Sequence, residues 1–404
     1  MCRIVVMMIA EITRRCTVSR RLTASGSGFL RGAFGSIRWR RRGAGVRGFP
    51  PCTVLTVDSL FAGGHIPQGA CWVVMHVTPF GPDDASALER WATLTNAVAA
   101  VDAPWAFPVT PAEGAGRFRH GWDGEPSTPY LARVDGEVVG WGSVSVSEYD
   151  NLDLAWLGVA VHPAYRRRGH GSTLLAELVE AARALGRTSL GMDGWESAAG
   201  AAFAERHGFV AKQSTINRRQ LLADVAWAEL DRRYDDALPH ARDYAIERWA
   251  PPTPEGLLPA LAELTSAIND APTDGLDVED EVYTADRVRA YETATRGRGE
   301  RMYRVVARHV PTGGLAGQSV VAVEIDHPER GHQHDTSVVR SHRGHRLGLL
   351  LKAEMLRWLR EEEPDLATID TWNAESNDHM IGVNELLGYR VMGREIAYQR
   401  PLTG

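Results

Sequence analysis

The stretch VHPAYRRRGHGSTLL, residues 161–175, decides how the rest of the chain is interpreted. The apolar, β-branched run 154–161 before it is typical of a strand, and Pro163 ends that strand. A basic turn with two glycines follows, and then Leu174 and Leu178 recur at helical spacing. The order is therefore strand, basic glycine turn, helix. Backbone N–H groups and the positive dipole end of such a helix, with arginines beside them, favour a pyrophosphate.

This stretch resembles motif A of the GNAT (Gcn5-related) N-acetyltransferases, V-x-P-x-x-R-x-x-G-x-G, through Val161, Pro163, Arg166, Gly169 and Gly171. In that family the motif holds the pyrophosphate of acetyl-coenzyme A. A Rossmann dinucleotide loop fits less well, because its glycines follow the strand directly, whereas three arginines intervene here. The resemblance assigns coenzyme A contacts to Val159, Val161, Arg166, Arg167, Arg168, Gly169, His170, Gly171 and Ser172.

The composition is that of ordinary globular material, with 404 residues of which 44% are hydrophobic and 24% charged. No apolar run reaches the ~18 residues that a membrane span needs. Only Lys212 and Lys352 are lysines among 45 basic residues, which indicates a GC-rich genome and a bacterial source. No cysteine follows Cys71, so the later part of the chain has neither disulfides nor a thiol nucleophile.

Residues 1–74 differ from the rest, since they carry a net charge of +9 and leave −15 for the remainder. Three interpretations are open: a targeting peptide, a basic arm for nucleic acid, or a start codon assigned too early, with Met75 as the true start. We favour the third. All three predict a disordered basic arm, because the segment has little periodic apolar pattern.

The order of elements after the arm occurs twice. Arg166 corresponds to Arg343, 177 residues later, and Gly208 to Gly388, 180 residues later. A period this long indicates a duplicated domain rather than a solenoid. We therefore expect an α/β fold with a mixed sheet, made of two consecutive GNAT domains. The predicted first half is 75–222, the helical connector 223–243 and the second half 244–404. This tandem arrangement is similar to that of mycothiol synthases.

The second half departs from the family pattern at two places. Arg346 stands where motif A has its middle glycine, and it could either add a phosphate contact or crowd the ligand. In the second GNAT signature Asn377 is kept, but Asn384 replaces the tyrosine that can protonate the leaving thiolate. The resemblance assigns coenzyme A contacts to Val338, Arg343, Gly344, His345, Arg346, Leu347, Gly348 and Asn377.

Two further groups are candidates for the acceptor side of the second half. The stretch 269–281 is rich in carboxylates that would attract a cationic amine, unless it is simply a solvated loop: Asp270, Asp274, Asp277, Glu279, Asp280 and Glu281. The matching stretch of the first half, 96–116, has only two acids, Asp102 and Glu113, and its part 103–116 is predicted to be loop. Candidate general bases precede motif A, where alternation places His332 and His334 on one face and Asp335 on the other. The first half has Asp153 there.

These resemblances imply an N-acetyltransferase that moves an acetyl group from acetyl-CoA to an amine of a small cationic molecule. We expect the second half to do the chemistry, with His332, His334, Asp335 and Asn384 as catalytic candidates. The first half then binds coenzyme A or serves as a scaffold. Alternatives are a mycothiol synthase-like enzyme and a catalytically silent coenzyme A sensor. We expect a cytoplasmic monomer or homodimer that uses no metal, nucleic acid or membrane.

Overall fold

The computed structural model describes residues 53–55 and 72–402. The strands are β1 (Thr53–Leu55), β2 (Trp72–Pro79), β3 (Thr128–Val134), β4 (Glu137–Ser145), β5 (Leu154–Val161), β6 (Ser189–Trp195), β7 (Val210–Leu221), β8 (Tyr244–Trp249), β9 (Glu300–His309), β10 (Leu315–Glu324), β11 (Arg330–Val338), β12 (Thr368–Ala374) and β13 (Arg390–Pro401). The helices are α1 (Ala85–Asp102), α2 (Pro111–His120), α3 (His170–Ala184), α4 (Ala198–Arg206), α5 (Trp227–Ala237), α6 (Leu258–Thr265), α7 (Ala285–Gly297), α8 (Leu347–Glu362) and α9 (Asp378–Leu386).

Strands β2–β13 form one continuous sheet in the order β2-β3-β4-β5-β6-β13-β7-β12-β11-β10-β9-β8. Neighbouring strands in this run are antiparallel except for the pairs β5–β6 and β11–β12, which are parallel. The first half contains β2–β7 and the second half β8–β13, and both have the order β-α-α-β-β-β-α-β-α-β. The predicted mixed sheet with two GNAT-like halves is therefore confirmed.

The two halves exchange their last strands. Strand β13 of the second half lies between β6 and β7, and β7 of the first half lies between β13 and β12. The register places Glu395 opposite Thr215. These residues are 180 apart, the same offset as Gly208 and Gly388, so a pseudo-twofold axis passes beside this pair. The boundaries at 222 and 244 stay a prediction, but each half completes its sheet with a strand from the other.

Helices cover both faces of the sheet. On one face, Leu174 and Leu178 of α3 pack on Val139 and Leu157, and α8 forms the corresponding core of the second half. On the opposite face, which we call the front face, α1 and α2 form a smaller cluster around Trp91. Helices α6 and α7 do the same in the second half. No described helix has both the length and the apolar character of a membrane span.

The predicted loop 103–116 is wrong in its second part, because α2 begins at Pro111. Thr110 accepts a hydrogen bond from the Glu113 N–H, and the Glu113 carboxylate accepts one from the Thr110 N–H. This capping box, with proline at the first helical position, satisfies N–H groups that a helix start otherwise leaves unpaired. The sequence Thr-Pro-Ala-Glu is the signal that could have indicated it.

A buried ion network joins the halves on the front face. The Arg287 guanidinium of α7 donates to Asp123 at 2.7 Å and to Asp150 at 2.6 Å, and all three side chains are almost fully buried. Burial alone would lower the arginine pKa, but the two carboxylates outweigh it and raise the pKa. Breaking a buried pair of this kind typically costs ~3–5 kcal/mol.

The N-terminal arm falls largely outside the described residues. Its described part is β1, which pairs with Trp72–Val74 of β2 in parallel. All pairs between β2 and β3 lie from Met75 onward.

Deleting residues 390–404 tests the strand exchange. The deletion removes the strand that lies between β6 and β7 and so exposes one edge of each in the middle of the sheet. We therefore expect loss of a cooperative thermal transition, followed by circular dichroism. As a control, a chain starting at Met75 keeps every β2–β3 pair and should melt within a few degrees of the full chain. A deletion variant that still melts cooperatively, with one half intact, would contradict the interdependence of the halves.

Candidate functional site

The parallel strands β11 and β12 separate after a short stretch of pairing, and a pocket opens there. Their backbones pair only at 330–332 with 368–370. Beyond that point a pocket of about 880 Å³ is formed by the end of β11, the following turn, the starts of α8 and α9, and α5. Its rim carries six basic or imidazole side chains: Arg232, Arg233, His342, Arg343, Arg346 and His379. Sequence analysis missed Arg232 and Arg233, because they lie on the connector.

The two glycine turns have the same backbone path although their residues differ. In the first half, Arg167 and Gly169 have left-handed φ angles of 64° and 90°. In the second half, Gly344 and Arg346 have φ angles of 87° and 57°. The departure from motif A is therefore an exchange of arginine and glycine between two left-handed positions. The left-handed conformation of Arg346 costs on the order of 1 kcal/mol. Its side chain lines the pocket and donates to the Asp236 carbonyl on α5 at 3.4 Å.

The motif arginines act as clamps in both halves. The Arg166 Nε donates to the Val161 carbonyl at 3.0 Å, and its terminal nitrogens donate to Asp102 at 2.8 and 2.6 Å. Each such clamp ties the end of a strand to the end of a helical segment on the front face. These guanidinium groups were predicted to contact phosphate, but they are already paired with carboxylates. The backbone N–H groups of the turns can also bind an anion.

Arg343 repeats this arrangement at the pocket. Its Nε donates to the Val338 carbonyl at 3.1 Å, and its Nη2 donates to Asp270 at 2.7 Å. Hydrogen bonding from Arg340, aided by the charges of Arg340 and Arg343, lowers the pKa of Asp270. Asp270 therefore lines the pocket as one partner of an ion pair.

The corresponding gap in the first half is narrowed by Phe203. A methyl group built on Gly171 would lie 3.2 Å from the Phe203 ring, whereas one built on Gly348 would meet nothing within 4 Å. The Phe203 ring also stacks on His207, which is hydrogen-bonded to Ser172 at 2.9 Å. The residue corresponding to Phe203 in the second half is Val383, which lines the pocket. The gap of the first half is therefore narrower because it contains an aromatic side chain where the second half has a valine.

The two asparagines of the second signature lie in different surroundings. Asn377 lines the pocket and caps α9, since its side chain accepts from the Met380 N–H at 3.2 Å. Ser197 caps α4 in the same way, so capping is one reason for a polar residue at this position. Asn384, a predicted catalytic residue, is fully buried and donates to Asn373 at 2.7 Å. It is not among the residues that line the pocket.

Of the six carboxylates predicted to attract the acceptor, the structure places only Asp270 at the pocket. Asp274 accepts from Ser376 at 2.6 Å, and Asp277 exchanges backbone hydrogen bonds with the Gln399 amide. Asp280 is exposed. Glu281 accepts from Tyr283 and lies 3.7 Å from Arg287.

The segment that carries these residues crosses the first half as a strap. Glu279 and Asn151 exchange two hydrogen bonds of 2.7 and 3.0 Å. Leu276 and Val278 pack against Trp156 and its neighbours. The alternation of apolar and acidic residues in Leu-Asp-Val-Glu was the sequence signal for an extended segment with one buried side.

A β-bulge in β11 changes which face of the sheet the predicted general bases point to. The register shifts from Val320–Asp335 to Val321–Gln333, which leaves His334 as an extra residue in β11. His334 and Asp335 consequently both reach the front face, where sequence alternation predicted opposite faces. The His334 Nδ1 is hydrogen-bonded to Tyr291 of α7 at 2.6 Å, and Asp335 accepts from Gln318 at 2.7 Å. The other Asp335 oxygen is buried without a hydrogen-bond partner.

His332 and Lys352 have opposite pKa shifts. Burial lowers the pKa of His332, but its hydrogen bond to Glu324 at 2.7 Å and the nearby carboxylates outweigh this effect and raise the pKa. His332 is therefore biased toward its protonated form. Burial lowers the pKa of Lys352 on α8 to about 7, against the charge of Asp335. The chemistry of the site thus includes an oriented carboxylate with a titrating ammonium within its electrostatic range.

Sequence analysis missed a carboxyl pair between β6 and the exchanged strand β13. Asp193 on β6 accepts a hydrogen bond from the Trp156 indole, and Glu395 on β13 is 8% exposed. Burial, with the charge of Asp193, raises the pKa of Glu395 to about 8, and burial raises the pKa of Asp193 to about 6. The two residues are about 200 positions apart, and only the strand exchange brings them together.

The fold and the site together define an acyltransferase. Residues 96–209 match the model of the acetyltransferase (GNAT) family. A tandem GNAT protein from the clavulanic acid biosynthesis pathway is 28% identical, with a TM-score of 0.65, and the match covers 82% of this chain and 99% of that one. Residues 96–209 therefore form a GNAT acetyltransferase domain, and the whole chain is similar to a tandem GNAT protein.

More distant structures share the fold. A GCN5-related N-acetyltransferase from Sphaerobacter thermophilus is 16% identical, with a TM-score of 0.56 over 82% of this chain and 96% of that one. A glucosamine N-acetyltransferase region of a fungal β-N-acetylglucosaminidase is 13% identical, with a TM-score of 0.61 over 81% of this chain and 38% of that one. No curated protein sequence matches the chain.

Replacing Glu395 with glutamine should change how stability depends on pH. A carboxyl group whose pKa is raised in the folded state keeps a proton that the unfolded chain releases, so stability falls as the pH rises from about 5 to about 8. The variant lacks this loss, and at pH 8.5 we expect a gain of at least ~1 kcal/mol, or about 2 °C in Tm.

The measurement is a series of thermal melts between pH 5.5 and 8.5. The exposed residue Glu89 provides the matched control, and Glu89→Gln should follow the wild-type pH profile. An unchanged profile in Glu395→Gln would show that Glu395 does not hold a proton in the folded protein.

Proposed function

We propose that the second half binds acetyl-CoA between β11 and β12 and transfers its acetyl group to the amine of a small molecule. The observation that carries this proposal is the pocket of about 880 Å³ at the separated strands, next to the start of α8. Its size is within the range of ligand sites, ~300–1,000 Å³.

The residues present fit the parts of acetyl-CoA. The N–H groups of the turn at Gly344–Gly348 suit a pyrophosphate, and Arg346 adds a cation at the pocket. Arg232 and Arg233 also line the pocket, but both are paired with Glu229. Thr336–Val338 of β11 line the pocket beyond the pairing with β12, so their edge suits the amides of the pantetheine arm. The bound thioester would supply an electrophilic carbonyl carbon.

The protein must take a proton from the attacking amine. We assign this role to Asp335, which directly precedes the pocket-lining Thr336 but is not itself among the lining residues. Gln318 orients one of its oxygens, and the other is buried without a hydrogen-bond partner. The amine nitrogen bonds to the thioester carbon, the carbon–sulfur bond breaks, and the amine proton goes to Asp335. With Asn384 away from the pocket, the thiolate takes its proton from solvent. His332 is less suited as a base, since its Nε2 is already hydrogen-bonded to Glu324 at 2.7 Å.

Several narrower predictions remain part of the proposal. The acceptor is expected to be small and cationic. The acidic residues of the strap 271–281 do not support this expectation, because the strap packs on the first half and its acidic residues do not line the pocket. The chain is expected to be cytoplasmic, as a monomer or homodimer. A mycothiol synthase-like enzyme and a silent coenzyme A sensor remain the alternatives.

Reciprocal substitutions test which half binds acetyl-CoA. Val383→Phe places the first half's side chain in the pocket and should abolish binding measured by calorimetry. Phe203→Val is the matched control and should leave that binding intact, with wild type binding about one equivalent per chain. Retained binding in Val383→Phe, or loss caused only by Phe203→Val, would assign acetyl-CoA to the first half.

Turnover is tested by release of the coenzyme A thiol over a panel of amines. Asp335→Asn should lower kcat by ~10²–10⁴-fold while the KM for acetyl-CoA changes little, because the side chain lies outside the phosphate-binding turn. His332→Asn is the control and should have a smaller effect. Binding without turnover on any amine would favour the sensor, and turnover restricted to the mycothiol synthase acceptor would favour that alternative.

A further inference from the structure

The carboxyl pair Asp193–Glu395 lies on the front face beside aromatic side chains. In the antiparallel pair β6–β13, Asp193 is opposite Ala397 and Glu395 is opposite Trp195. Directly opposed residues share a face, as do residues two apart along a strand. The two carboxyl groups are therefore diagonal neighbours on one face, with the Trp195 ring on the same side.

Protein cations balance the charge of only one of these two carboxyl groups. One oxygen of Glu395 is buried without a hydrogen-bond partner, and the whole residue is 8% exposed. The positive charge acting on Asp193 is that of Arg117. Two carboxylates against one guanidinium leave one negative charge when all three are ionised. Keeping a buried carboxylate unpaired is costly, so a ligand with a single positive charge would stabilise this arrangement.

Aromatic rings complete the surroundings. The rings of Trp105 and Trp195 lie 5.1 Å apart in an edge-to-face arrangement, and both side chains are partly exposed. Trp156 donates its indole N–H to Asp193. An ammonium group is attracted both by carboxylates and by the faces of indole rings. The combination is therefore suited to an organic amine more than to a bare metal ion, and no metal-type cluster occurs in the described parts of the chain.

We propose that Asp193, Glu395 and the indole rings of Trp105 and Trp195 form a binding site for a primary ammonium group. The site belongs to both halves, because β13 carries Glu395 across to β6. The corresponding residues on β7 and β12 of the second half's front face are Thr215 and Trp372, which carry no charge. Within residues 72–402, the second half therefore has no equivalent of this site. It lies beside the strand separation of the first half and is distinct from the pocket between β11 and β12.

The test is a titration with n-butylammonium chloride, followed by the ¹H–¹⁵N indole resonance of Trp156. The resonance is assigned with Trp156→Phe, and ionic strength is matched with sodium chloride. We expect a saturable shift with butylammonium and none with 1-butanol, its neutral counterpart. Glu395→Gln and Asp193→Asn should each weaken the apparent Kd at least tenfold. The exposed neighbour Glu196 provides the control, and Glu196→Gln should bind as wild type does.

Binding of acetyl-CoA, measured on the same samples, separates this proposal from folding defects and from the proposed function. A variant that binds acetyl-CoA but no longer responds to butylammonium supports the ammonium site. Butylammonium titration in a protein that does not bind acetyl-CoA would refute only the proposed function. A linear, unsaturable shift, or equal binding by wild type and Glu395→Gln, would overturn the ammonium site.

Discussion

The backbone pairing of β13 with β6 and β7 is the constraint on which the rest of the structure depends. It places the last strand of each half inside the sheet of the other, so twelve strands make one sheet rather than two. The pairing of Glu395 with Thr215 sets the pseudo-twofold relation. Segments on the front face then cross between the halves, as the strap 271–281 does over the first half. The buried Arg287 network reinforces the same junction with charge.

Within this shared sheet the two halves have the same architecture but differ in the size of the gap beside the glycine turn. Both use an arginine to tie a strand end to a carboxylate on the front face, through Arg166 with Asp102 and Arg343 with Asp270. Both turns place two residues in the left-handed region. The gap beside the turn is narrowed by Phe203 in one half and bordered by the smaller Val383 in the other. Duplication thus preserved the parts that hold the backbone, while single side chains changed the space offered to a ligand.

The acidic residues also lie in different places from those that the sequence suggested. In the acidic segment after α6, Glu279 contacts Asn151 of the first half and Asp274 contacts Ser376 of the second, whereas the pocket of the second half is lined by several basic side chains. A buried carboxyl pair lies instead between β6 and β13, at Asp193 and Glu395, and one oxygen of Glu395 has no hydrogen-bond partner. Because a carboxylate interacts strongly only over a few ångströms in water, the position of each acid matters more than the number of acids in a segment.

Local pattern determined the elements, the duplication and the glycine turns, because apolar periodicity and turn chemistry act between residues close in the chain. The turn before α8 and Asn377 at the start of α9, which the sequence assigned to coenzyme A, line the pocket of the second half. Tertiary structure alone decided the strand exchange and the pairing of each motif arginine. It also decided the bulge that turns His334 and Asp335 to one face, and the meeting of Asp193 with Glu395. Each of these depends on contacts between residues tens to hundreds of positions apart, and no local pattern records which distant partner a strand or side chain finds.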